Sequence, residues 1–116
     1  AFVKQLVKHA DVIIHHSRPG VMARIRLDYE SVKAVNPAIV YASATGYGTE
    51  GPWRDRPGQD LLAQSISGIP WLSGSADDGP VPVGLSIDDH LMSCHIAQGV
   101  TALSVRRFRT ARCAPM

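Results

Sequence analysis

A chain of 116 residues with 45% hydrophobic and 19% charged residues has the makeup of one soluble globular domain built on a single modest core. Its formal net charge of +2 comes largely from Arg106, Arg107, Arg109 and Arg112, a small cluster of the kind that is usually solvated surface, so nucleic-acid binding is not indicated. No apolar run approaches the ~20 residues that span a bilayer, and the N-terminus lacks the layout of a secretory signal, so a cytoplasmic protein with no membrane partner is expected.

The opening AFVKQLVKHADVII begins inside a helical pattern, with Phe2, Leu6 and Val7 at helical spacing, and passes into the apolar run Asp11 to Ile14, a buried parallel strand by composition. The chain is expected to start within a domain. Ser17-Arg18-Pro19-Gly20 forms a turn, Val21 to Leu27 predicts a short helix, and Asp28 is placed to cap another over 29–35 that Asn36-Pro37 stops. A second buried strand follows over 38–44, and the order strand, helix, strand implies a parallel pair with a right-handed crossover.

From Gly46 to Gly58 the chain turns to Gly, Pro, Trp and charges, the composition of a long functional loop after the carboxyl end of a strand. Gln59 to Ser67 predicts a helix with Leu61, Leu62 and Ile66 on one side and Gly68 at its end. After a second loop over 73–84, the segment 87–105 is apolar almost all round, which predicts a helix packed in the interior. The residues divide into an α/β domain over 1–105 and a basic tail over 106–116.

Asp89 falls in the opening turn of that last helix, where free N–H groups and the macrodipole favour an anion. Asp88 beside it is equally placed, and a plain capping role accounts for either one alone. Asp60 starts the preceding helix, so two helices are able to present two carboxylates to one cleft, an arrangement suited to acid–base or nucleophilic work. Arg18 and Arg24 flank the first glycine turn with Ser17 nearby, a placement suited to gripping phosphate. No GxGxxG or P-loop occurs, and neither the five histidines nor Cys94 and Cys113 follow a metal-ligand spacing, so no metal and no permanently bound cofactor are expected.

Several motifs stand in order: the RPG turn followed by Val-Met, NPAIVYAS, GYGTEGP, RPGQDLLAQ and VGLSID. Together they resemble the family III CoA-transferases, a group that includes alpha-methylacyl-CoA racemase, over nearly everything from Leu6 to about Leu103. The resemblance implies an internal part of a Rossmann-like large domain, truncated at both ends, from an enzyme that is an interlocked homodimer at full length. It implies acyl-CoA and carboxylic acid substrates, with Asp89 as the nucleophile that carries CoA as an aspartyl thioester and Asp60 orienting the reacting centre. It also implies that His16, Ser17, Arg18 and Arg24 contact CoA, although His16 stands where the family usually has asparagine.

Gln59 discriminates within the family, because the racemase branch has a histidine there and glutamine cannot accept a proton near neutral pH. Transfer is therefore expected over racemisation. The alternatives are a racemase-like enzyme and a non-catalytic CoA-binding α/β fragment. The terminal RRFRTARCAPM departs from the family's usual T-G-x-G continuation.

Overall fold

The computed structural model describes residues 2–110, so Arg112 and Cys113 lie outside the described residues. The elements run α1 (Phe2–Val7), β1 (Val12–His15), α2 (Val21–Arg24), α3 (Tyr29–Lys33), β2 (Val40–Ser43), α4 (Asp60–Ser67), a 3-10 turn (Ile69–Leu72) and α5 (Ile87–Thr110). The fold is mixed α/β. β1 and β2 are parallel, with Val12 opposite Val40 and His15 opposite Ser43, and α2 and α3 form the crossover.

Local chemistry sets these boundaries. Asp28 caps α3, its carboxylate accepting the N–H of Ser31 at 3.1 Å and the Ser31 hydroxyl at 2.7 Å, and those bonds hold its pKa below the ordinary aspartate value. Asn36 does more than end α3. Its Nδ2 donates to the carbonyls of Val7 and Ala10, each at 2.9 Å, while its Oδ1 accepts the N–H of Ala38 at 3.0 Å, so one amide joins the end of α1 to the approach to β2. The core lies at that junction: Val7, Val32, Ile39 and Tyr41 are buried, with Ala10, Ile13, Leu27 and Val35 packed around them. The Tyr41 hydroxyl donates to the Leu27 carbonyl at 2.8 Å, which satisfies the polar end of a buried ring.

One expectation needs correction. α5 is not an interior helix: it packs on α4 and β2 through a half-buried stripe of Ile87, Met92, Ile96, Val100 and Leu103, while Leu91, Cys94, Val105 and Phe108 are exposed. It also runs past Val105 to Thr110, and in its last turn Arg107 pairs with Asp11 at 2.8 Å. On α4 the apolar side of Leu61, Leu62 and Ile66, which would ordinarily face a core, is exposed, and Gln64 is the buried residue. The cause is common to both: an apolar stripe needs a facing element, and among the described residues none covers these. The radius of gyration of 17.5 Å exceeds the about 13 Å of a compact chain this long.

Candidate functional site

The carboxyl ends of β1 and β2 open onto the loop that leaves β2. That loop closes where Gly46 and Gly58 cross, so near that a Cβ on either would sit 2.4 Å from the other's Cα. Only glycine fits both positions. The crossing brings Gln59 and α4 back beside the strand ends and forms the wall of a cleft of about 670 Å³.

Asp89, Asp60, Gln59 and His16 all line this cleft. They arrive from three elements: His16 follows β1, Gln59 and Asp60 begin α4, and Asp89 lies in the first turn of α5. A recess of about 160 Å³ adjoins it, sharing His16, Thr45, Gly46 and Gly58, and holds Arg18, Arg54 and Arg56. The arginine turn and the aspartate pair therefore stand along one continuous groove. Ser17 and Arg24 line neither cavity; the Ser17 hydroxyl points at the Met22 sulfur, 3.7 Å away, and Arg24 is exposed in the last turn of α2.

Neither Asp88 nor Asp89 takes the free N–H groups of α5. Asp60 does so from the neighbouring helix, its Oδ1 accepting the N–H of Asp88 at 2.8 Å and of Asp89 at 3.1 Å. Its Oδ2 accepts from the Gln64 amide at 2.6 Å. Desolvation opposes ionisation of Asp60, but the Asp89 N–H, the Gln64 amide, the Asp88 N–H and the nearby His90 outweigh it and lower its pKa. The carboxylate of Asp60 is thus consumed in holding backbone, which leaves Asp89 as the cleft carboxylate on the same helix turn whose side chain is open to a ligand. Asp88 differs, because its Oδ2 is buried without a hydrogen-bond partner among the described residues.

Electrostatics divide the groove into an anionic end at Asp60, Asp88 and Asp89 and a cationic end at Arg18, Arg54 and Arg56. Arg56 lies over the Trp53 ring, 5.1 Å from its centroid, and Tyr47 meets that ring edge-on at 5.6 Å. His15, half-buried behind the groove, has its pKa lowered by desolvation and then by His16. Arg54, Arg56 and Gln64 were not singled out from sequence; for Gln64 the available signal was an amide four residues after Asp60, on the same helical face.

A family model described as CoA-transferase family III matches residues 1–114. Succinate–glutarate CoA-transferase of Agrobacterium fabrum is 33% identical over 110 residues, covering 95% of this chain and 28% of that protein. Acetyl-CoA:oxalate CoA-transferase of Acetobacter aceti is 35% identical over 113 residues, covering 97% of this chain and 29% of that protein. The crystal structure of a CAIB/BAIF family protein from Brucella suis superposes with a TM-score of 0.93 at 34% identity, over 98% of this chain and 30% of that one. The chain thus spans less than a third of the length of these relatives.

Proposed function

The chain belongs to CoA-transferase family III, and on that footing we propose that its groove is the active-site segment of an enzyme that moves CoA between carboxylic acids, with Asp89 as nucleophile. An Asp89 oxygen attacks the acyl-CoA carbonyl, the C–S bond breaks, and a mixed anhydride and CoA thiolate result. The thiolate then attacks the Asp89 carbonyl, which releases the first acid and leaves an aspartyl-CoA thioester. An acceptor carboxylate reverses the two steps and departs as its own CoA thioester, with Asp89 again a free carboxylate. Splitting one exchange into successive acyl transfers lowers each barrier.

One observation carries this reading: Asp60 holds the backbone N–H of Asp89 at 3.1 Å within the cleft both residues line. An attacking carboxylate must be held in place without its own oxygens being consumed, and the division of labour between the two aspartates meets that need. Gln59 at the cleft wall supports transfer over racemisation, since its amide takes up no proton from an α-carbon near neutral pH. Arg18, with Arg54 and Arg56, supplies cations for the CoA phosphates at the far end of the groove. The complete enzyme works as an interlocked homodimer in the cytoplasm.

Succinyl-CoA, the thioester of the succinate that one reported relative's name carries, and acetyl-CoA, named in the other, serve as probes. After incubation, hydroxylamine is expected to convert Asp89 to its hydroxamate and borohydride to homoserine, both read by peptide mass spectrometry. Asp89→Asn should abolish both products. Adducts at another residue, or none at Asp89, would refute the assignment.

A further inference from the structure

Gln64 is 1% exposed and is the one buried polar residue among the described residues. Burying an amide is costly unless its donors and acceptor are all used, and here they are. Nε2 donates to Asp60 Oδ2 at 2.6 Å and to the Leu85 carbonyl at 3.2 Å, and Oε1 accepts the N–H of Val83 at 2.9 Å. Val83 and Leu85 lead directly into α5, whose first-turn N–H groups at Asp88 and Asp89 are held by the other oxygen of Asp60. Two side chains of one helix face therefore grip the whole segment from Val83 to Asp89.

Gln64 lines neither cavity and touches no reacting group, so whatever it contributes passes through Asp60 and the backbone. A space-filling role would be met better by leucine or methionine, which carry no desolvation cost. The pattern of two donors and one acceptor is specific to an amide: glutamate keeps the acceptor but turns a repelling oxygen on Asp60, and methionine offers neither.

Resting on the transferase reading, we propose that Gln64 is a positioning residue for the reaction: it locks the Asp60 carboxylate and the entry to α5 into the one arrangement that aims Asp89 at the thioester. The titratable groups around the pair are Asp88, Asp89 and His90 of α5 and His16 across the cleft. Gln64→Glu and Gln64→Met keep them all, so the difference between the variants isolates the introduced carboxyl group.

The test measures the rate of hydroxylamine-trapped adduct formation at Asp89 from succinyl-CoA, together with amide hydrogen exchange at Asp88, Asp89 and, as a core reference, Val40. In Gln64→Glu, trapping should slow about tenfold near neutral pH with CoA affinity unchanged, and recover toward about pH 5 as the new carboxyl gains a proton to donate to Asp60. In Gln64→Met the loss should persist at every pH. Exchange at Asp88 and Asp89 should quicken in both while Val40 stays protected. Wild-type trapping rates in both variants, or an equal, pH-independent loss in both, would overturn the proposal. Should the wild-type chain form no adduct, the transferase reading fails by itself, and exchange then decides: unchanged protection at Asp88 and Asp89 in both variants overturns the clamp, and selective loss there upholds it.

Discussion

Gly46 and Gly58 cross with their backbones so close that neither position has room for a Cβ, which would lie 2.4 Å from the opposing Cα. The crossing closes the loop between β2 and α4, and both glycines line both cavities. Alanine at either site must force two backbone segments apart. Gly58→Ala is expected to weaken CoA binding about tenfold or more by calorimetric titration, because misplacing the cleft wall by an ångström disrupts alignment. Gly84→Ala, at a glycine with open space around it, should bind as the unmodified chain does. Equal affinities for the two variants would show that the crossing does not shape the groove.

Asp60→Asn keeps the size of the side chain but removes the charge that draws two N–H groups of α5. Its amide nitrogen can also face the Gln64 amide donor-to-donor. Exchange at Asp88 and Asp89 should accelerate about tenfold, and adduct formation at Asp89 should fall with it, since a charge-assisted bond is replaced by a neutral one. Intact protection in the variant would mean that another group holds the start of α5.

Acidification should weaken the fold in two stages. His15 has a lowered pKa, so its neutral form is favoured by folding; that contribution is complete above about pH 6.5 and is lost as pH falls through the lowered value. Asp28 and Asp60 also have lowered pKa values, and their ionised forms contribute fully above about pH 4 and are lost as pH falls through the lowered values. Urea unfolding against pH checks the order. His15→Gln should flatten the upper stage and Asp28→Asn should reduce the lower one. A stability profile that is flat between about pH 7 and pH 5 would contradict the first stage.

Asn36→Ala removes the amide that joins α1 to the approach to β2; the Val7 carbonyl keeps only the Ala10 N–H at 3.3 Å, and the Ala10 carbonyl loses the Asn36 donor. The expected cost is about 1–3 kcal/mol in thermal or urea unfolding. Asn36→Asp should be worse than alanine near neutral pH, because a carboxylate oxygen would then face two carbonyl oxygens. Alanine costing more than aspartate would disprove this account of the junction.

Local signals survived the passage from sequence to structure best. Asp28 caps α3, Gly68 ends α4 in the left-handed conformation, and the two apolar runs pair in parallel, because each depends on a few neighbouring residues. Of the cleft residues, Asp60 and Asp89 are legible as carboxylates at the starts of two helices, whereas His16 and Gln59 stand out only through the family resemblance. Burial was not readable for α4 and α5: Leu61, Leu62, Ile66 and Phe108 report which face is apolar, not whether a partner covers it. The role of Gln64 is not legible in the sequence, because the backbone groups it satisfies at Val83 and Leu85 are distant along the chain. The Gly46–Gly58 crossing was hidden for the same reason, since a near contact between two loop ends leaves no local mark beyond the glycines themselves.

Trp53 sits on the loop beside the cationic recess with the Arg56 guanidinium 5.1 Å from its ring centroid. Arg56 lines that recess while it lies over the indole, so under the proposed function a phosphate bound there is expected to alter the electronic surroundings of an intrinsic fluorophore. On that reading Trp53 is expected to serve as an optical gauge of anion arrival, readable in emission without any attached dye. Trp71, 75% exposed in the 3-10 turn and absent from both cavities, contributes only a steady background that Trp71→Phe would strip away.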